Sequence, residues 1–281
     1  MNNISFGQYY PSNSFIHRLD PRVKLICAVI YVAAIFFVDS YFVYAAVLLF
    51  GITVIALSRV PIGTVLKTVK SVLFLILLTF ALNLFLVSGD KVLWSWKFIK
   101  ITATGLDYAV RMAFRLFLLI TGTSLLTLTT TPMELTDGLE SLMTPLKAVR
   151  FPVRDIALIM SIALRFIPTL MEETTKIMNA QKARGASFDT GNLLKRVKAL
   201  LPVLIPLFVS AFRRAEELAL AMDSRCYDAT PNRTRRRQFK INMVDIAVLL
   251  IFAAFITLII LDKYLWGGAM DGIIYGLIFK K

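Results

Sequence analysis

The sequence predicts an all-α polytopic membrane protein, with about five transmembrane helices and a helical segment in the cytoplasm. Three observations predict it. Hydrophobic residues make up 57% of the 281 residues, charged residues 18%, and the mean hydropathy is +0.70. A soluble domain carries about 45–50% apolar and about 25% charged residues. The apolar residues gather into runs that approach the ~20 residues a span needs. The charges, 32 Lys+Arg against 18 Asp+Glu, lie between those runs. This composition excludes a disordered tail, a collagen-like rod and an ordinary soluble enzyme. Cys27 and Cys226 are too few for a disulfide framework, and no Cys/His cluster offers a metal site. Membrane topology accounts for the net charge of +14 more simply than nucleic acid does.

Residues 1–24 are polar and carry two prolines, so no cleavable signal peptide is expected. The first long apolar stretch, Leu25–Leu57, is interrupted by Asp39-Ser40. One helix of that length would measure about 50 Å, too long for a ~30 Å hydrocarbon core. A tight hairpin follows: Pro21–Val38, then Tyr41–Leu57, with Pro21 suited to a first helical turn. The third span is Ser71–Val87, ended by Ser88-Gly89-Asp90. The fourth is Tyr108–Thr130, and the last is Met243–Leu261, followed by an aromatic and charged anchor at Asp262–Trp266. Ile273–Phe279 is too short to cross.

Between the fourth and last spans, Pro132–Lys240 holds 18 Lys+Arg and 11 Asp+Glu, over half of the chain's positive charges. It reads as helices over Pro132–Lys147, Val153–Ala183, Leu193–Leu201 and Pro206–Arg225. The apolar stretches Ile156–Met171 and Ala199–Phe212 are not assigned as spans. Crossing there would leave a loop with six basic and three acidic residues outside, against the positive-inside rule. The charges then give one topology: N-terminus inside, the loop at Ser88–Asp107 outside, Pro132–Lys240 inside, C-terminus outside. The expected domains are a cytoplasmic N-terminus (1–24), a membrane domain of four spans (25–131), cytoplasmic helices (132–241), and a last span with an external C-terminus (242–281). The cytoplasmic helices are too apolar to bury their faces on one another alone, which points to a partner or the membrane surface.

No catalytic set is found. There is no GxxxxGK[ST] phosphate loop, His17 is the lone histidine, and no pair of carboxylates sits inside a span. The informative feature is an internal echo. Residues 180–186 read Ala-Gln-Lys-Ala-Arg-Gly-Ala and residues 221–227 read Ala-Met-Asp-Ser-Arg-Cys-Tyr. Each places an arginine, Arg184 or Arg225, between small residues at a predicted helix end. A guanidinium there can meet a carboxylate bidentately while small neighbours allow close approach. Basic residues near a helix C-terminus also serve simply as caps, and the repetition favours two equivalent docking points. Arg111 and Arg115 fall inside a span. They are candidates for intramembrane function, or they snorkel to the outer interface. Arg165, in an apolar helix, is expected to face headgroups or an internal acid. Arg233–Arg237 reads as a stop-transfer signal, and Asn83 as a bond to a neighbouring helix.

These residues resemble the transmembrane T component of energy-coupling factor (ECF) transporters, the EcfT/CbiQ-like family. The resemblance covers nearly the whole chain. It rests on Leu19-Asp20-Pro21-Arg22-Val23-Lys24, on Arg165-Phe166-Ile167-Pro168, and on the two arginine motifs. Ala183-Arg184-Gly185 matches the family's Ala-Arg-Gly triplet, and Ser224-Arg225-Cys226 keeps the arginine but departs at both flanks. The resemblance implies two ABC-type ATPase subunits docked at these six residues. It implies a substrate-binding S component on the apolar helix faces, uptake of vitamins or other micronutrients, and a multi-pass position in a prokaryotic cell membrane. No cofactor is expected on this chain, since ATP-Mg would be bound by the partner ATPases, and no nucleic-acid partner is expected. The alternative is a stand-alone secondary transporter or channel, for which repeated halves and midplane acids are lacking.

Overall fold

The computed structural model describes residues 9–87, 92–96, 99–145, 151–186, 188, 193–227 and 242–262. It is an all-α protein whose described residues form eight helices: α1 (Pro21–Phe36), α2 (Tyr41–Ser58), α3 (Ile62–Leu86), α4 (Ala103–Thr129), α5 (Pro132–Leu142), α6 (Val153–Ala183), α7 (Leu193–Asp223) and α8 (Met243–Leu261). A short antiparallel hairpin, β1 (Val92–Trp96) and β2 (Ile99–Thr102), lies within the loop before α4. The chain divides into two compact units, residues 1–151 with 239–281, and residues 152–238.

In the first unit, α1 is the central post, packed on α4, α5 and α8. Asp20 caps it by accepting from the Arg22 N–H at 2.9 Å, and Pro21 opens the first turn. The helix stops at Phe37, and the short turn to α2 is buried at Val38 and Ser40. Ile35, Val38, Val43, Tyr44, Val47, Leu118 and Ile259 form the core where α1, α2, α4 and α8 meet. The Tyr31 hydroxyl donates to the Leu118 carbonyl at 3.0 Å. Its ring lies flat on α4 because residue 122 is glycine: a Cβ there would sit 2.0 Å from Tyr31 Cε1. Four helices, α2, α3, α4 and α8, are long and apolar enough to cross a membrane. The 16-residue α1 is about 24 Å long at 1.5 Å per residue. Large apolar side chains such as Phe74 and Leu86 stand mostly exposed, as lipid-facing residues do.

Several boundaries differ from the sequence reading. α3 starts nine residues before Ser71, because Ile62 follows Pro61 directly and Lys67 and Lys70 are simply carried on its exposed side. α4 starts at Ala103, where Thr102 accepts from the Gly105 N–H at 3.1 Å. Asn83 donates to the Thr79 carbonyl of its own helix at 2.8 Å instead of to a neighbour. α5 ends at Leu142, earlier than Lys147, and residues 146–150 lie outside the described residues. So do Ser88-Gly89-Asp90, Arg233–Arg237, the anchor beyond Asp262 and Ile273–Phe279.

The second unit is the pair α6 and α7, each 31 residues long. A break was expected between Leu201 and Pro206, yet α7 runs through both Pro202 and Pro206. The two prolines are four residues apart and both exposed. Each removes one i→i−4 bond on the same stripe, and the bonds around the rest of the cylinder continue.

Candidate functional site

The C-termini of α6 and α7 have one and the same architecture. At α6 the Gly185 N–H donates to the Lys182 carbonyl at 3.0 Å, and the Ala186 N–H to the Gln181 carbonyl at 3.0 Å. At α7 the Cys226 N–H donates to the Asp223 carbonyl and the Tyr227 N–H to the Met222 carbonyl, both at 2.9 Å. Each set is a Schellman motif, in which one residue turned into the left-handed region satisfies the last carbonyls. That residue is Gly185 (φ 91°) in one and Cys226 (φ 52°) in the other. Arg184 and Arg225 each stand one position before it. The equivalence is therefore one of backbone, residue for residue, at a spacing of 225 − 184 = 41.

Cysteine is an uncommon choice for positive φ, since its Cβ crowds the neighbouring carbonyl. The second motif departs from the first in sequence and keeps its geometry. Ala183, Arg184, Gly185, Ser224, Arg225 and Cys226 are all exposed, and neither arginine forms an ion pair among the described residues. The helix ends present two charged, unobstructed guanidinium groups.

The same spacing recurs where the two helices cross. Glu173 on α6 accepts from Ser210 Oγ at 2.5 Å and from Arg214 Nη2 at 3.0 Å on α7. The offset 214 − 173 is again 41, so each partner lies 11 residues before its own helix-end arginine. At 1.5 Å per residue the two arms are each about 16 Å long. The Ser210 hydroxyl, with Arg214 beside it, holds the Glu173 carboxyl below the usual carboxylate range. Sequence reading missed this clasp, although the 41-residue spacing was there to extend inward. Beyond the clasp, α7 exposes Leu204, Ile205, Phe208, Val209 and Phe212.

The remaining candidates resolve differently. Arg111 pairs with Asp107 at 2.8 Å and lies over the Tyr41 ring, 4.6 Å from its centroid. Tyr41 Oη also donates to Asp107. Arg115 donates to the Val38 carbonyl at 2.9 Å and meets Asp39 at 3.3 Å. Both arginines thus tie α4 to the α1–α2 turn, and neither stands as an unpaired intramembrane charge. Arg165 is on the exposed side of α6, in no ion pair among the described residues. A second polar knot went unnoticed in sequence. Lys24 Nζ is buried and donates to the carbonyls of His17 (3.1 Å) and Thr129 (3.0 Å). Buried Asp245 of α8 accepts from the Asp20 N–H at 3.1 Å. His17, held by Ser12, Ser14 and the Tyr10 carbonyl, has its pKa lowered mainly by burial.

A family model for CbiQ, described as cobalt transport protein, matches residues 12–236. An energy-coupling factor transporter transmembrane protein EcfT from Ruminiclostridium cellulolyticum is 48% identical over 264 residues, covering 94% of this chain and 98% of that protein. Proteins of the same name from Brevibacillus brevis and Bacillus subtilis are 50% and 47% identical, covering 84% and 85% of this chain and 89% and 90% of the relatives. The chain belongs to the EcfT family. It is a membrane-embedded transmembrane component of an ECF transporter, which sets aside the stand-alone transporter. Within an EcfT protein the duplicated α6 and α7 ends stand out as the part built for repetition, and the membrane arginines as part of the frame.

Proposed function

We propose that this chain is the non-catalytic coupling scaffold of an ECF-type importer. Two ABC-type ATPases dock in the cytoplasm, one at Ala183-Arg184-Gly185 and one at Ser224-Arg225-Cys226. They bind the ATP-Mg, and this chain carries no cofactor of its own. A substrate-binding S component packs on the apolar faces of α6 and α7 and brings in a vitamin or another micronutrient. The N-terminus faces the cytoplasm of a prokaryotic cell, as the positive loops require. The observation that carries this reading is the pair of matching helix ends, each offering an exposed arginine. A guanidinium in a groove with acidic walls makes a bidentate contact whose orientation is fixed, so a movement of either ATPase is passed to its own helix. The clasp at Glu173 ties the two arms together where they cross.

The test is charge reversal at both ends. Arg184→Glu and Arg225→Glu should each abolish ATP-driven uptake by the reconstituted complex while the chain still inserts. Breaking a buried ion pair costs about 3–5 kcal/mol, enough for at least a hundredfold loss of docking. Normal uptake by both variants would overturn the assignment and leave the arginines as helix caps.

A further inference from the structure

The first unit contains an apolar groove of about 450 Å3, bounded by α1, α2, α3, α4, α8 and the segment ahead of α1. It exists because α2 and α3 both pack on α4 and barely on each other. The two helices are held together near their joining turn by Val60, Val65 and Leu128. Along the mouth of the gap Ile52, Leu57, Ile62 and Leu66 stand more than half exposed. An apolar cavity of about 150 Å3 already binds benzene, so this groove has room for an acyl chain. A void this large, left empty, would forfeit dispersion contacts along its whole lining.

The groove has a charged rim at one end. Arg18 sits beside lining Leu19, Arg59 two residues past lining Leu57, and Lys70 one helical turn past lining Leu66. Ser12 Oγ donates to the Ser58 carbonyl at 3.0 Å and so draws the segment carrying Arg18 to the α2–α3 turn. All three cations are exposed, and none forms an ion pair among the described residues. An acyl-sized apolar slot between membrane helices, ending at clustered basic residues, fits an amphiphile with a negative head.

We propose that this groove is a binding site for one anionic phospholipid. One acyl chain lies between α2 and α3, and the phosphate meets the basic residues at their turn. The lipid is drawn from the leaflet that faces this turn. It fills the gap that the protein leaves between α2 and α3, and so completes the membrane domain.

Gly51 supplies the test, because it lines the groove and a Cβ there meets nothing within 4 Å. Gly51→Leu fills the slot without a clash and improves the helix, so the variant folds. The full chain is reconstituted in nanodiscs of four parts phosphatidylcholine to one part phosphatidylglycerol, then released in native mass spectrometry. The wild type should retain one phosphatidylglycerol under activation that strips loose lipid. Gly51→Leu should lower that retention at least fivefold. Combined Arg18→Gln, Arg59→Gln and Lys70→Gln should erase the preference over phosphatidylcholine. Equal retention by wild type and Gly51→Leu, or no preference for the anionic lipid, would overturn the proposal. Benzoylphenylalanine at position 51 separates the occupants by photo-crosslinking. Capture of phospholipid supports the site, whereas capture of residues 263–281 or of a second protein refutes it.

Discussion

Lys24→Met is the sharpest perturbation of the membrane domain. The Lys24 stem fits methionine in length, so packing is nearly conserved and the ammonium is what is lost. That ammonium is 7% exposed and satisfies two carbonyls, His17 O at 3.1 Å and Thr129 O at 3.0 Å. Its charge faces Asp20, Glu134 and Asp245. Two hydrogen bonds from a charged donor contribute about 1.5–3 kcal/mol each. Removal also strands buried acceptors and leaves the nearby carboxylates without a cation, as in a broken buried pair of about 3–5 kcal/mol. The expected destabilisation is therefore about 3–5 kcal/mol. At about 2–4 °C per kcal/mol for a chain of this size, the melting temperature should fall by at least about 6 °C.

The assay can use the protein's own thiols. Cys27 is half-buried in α1, three residues from Lys24, and Cys226 is exposed. In a Cys226→Ser background a thiol-reactive dye reports the opening of α1 alone. Lys67→Met, on the exposed side of α3, is the control and should leave the transition in place. If Lys24→Met melts within 2 °C of the parent, the knot contributes nothing and the reasoning fails.

Two further expectations concern the second unit. Glu173 has a folded pKa below its ordinary value, so its contribution to the α6–α7 clasp is full above the ordinary carboxylate range. It is lost as pH falls through the depressed value; spin labels on α6 and α7 should report a broadened distance only at that acidic end, and in Glu173→Gln at every pH. Gly185→Ala places a Cβ at φ 91° and should weaken the α6 Schellman turn by about 1–2 kcal/mol. Cys226→Gly should leave its turn intact or firmer. Hydrogen exchange at the Gly185-Ala186 and Cys226-Tyr227 amides reads both, and faster exchange in Cys226→Gly would contradict the strain argument.

The sequence was most legible where one physical signal acted alone. The bounds of α6 and α8 and nearly those of α2 could be read from apolar runs ended by a cap or a charge. The reading faltered where a rule about single residues met a cooperative element. Pro202 and Pro206 argued for a break, but a 31-residue helix absorbs two missing bonds on one exposed stripe. Lys67 and Lys70 lie ahead of the span that begins at Ser71, yet α3 carries both, because charge limits a span and not a helix. Hydropathy marks where lipid begins, and helices cross that boundary freely.

The candidate site was half legible for a related reason. The arginines were visible because each lies in a recognisable local string, whereas Glu173 and Arg214 lie 41 residues apart with nothing similar around them. Pairing across a helix crossing is a tertiary fact, and no local pattern announces it. Arg111 and Arg115 show the reverse case. As lone charges in a span they suggested function, and Asp107, Asp39 and the Val38 carbonyl turn both into struts for the α1–α2 turn. An intramembrane arginine is costly only when unmatched. What the sequence alone withholds is the match, and Asp39 and Asp107, read there only as span ends, are what provide it.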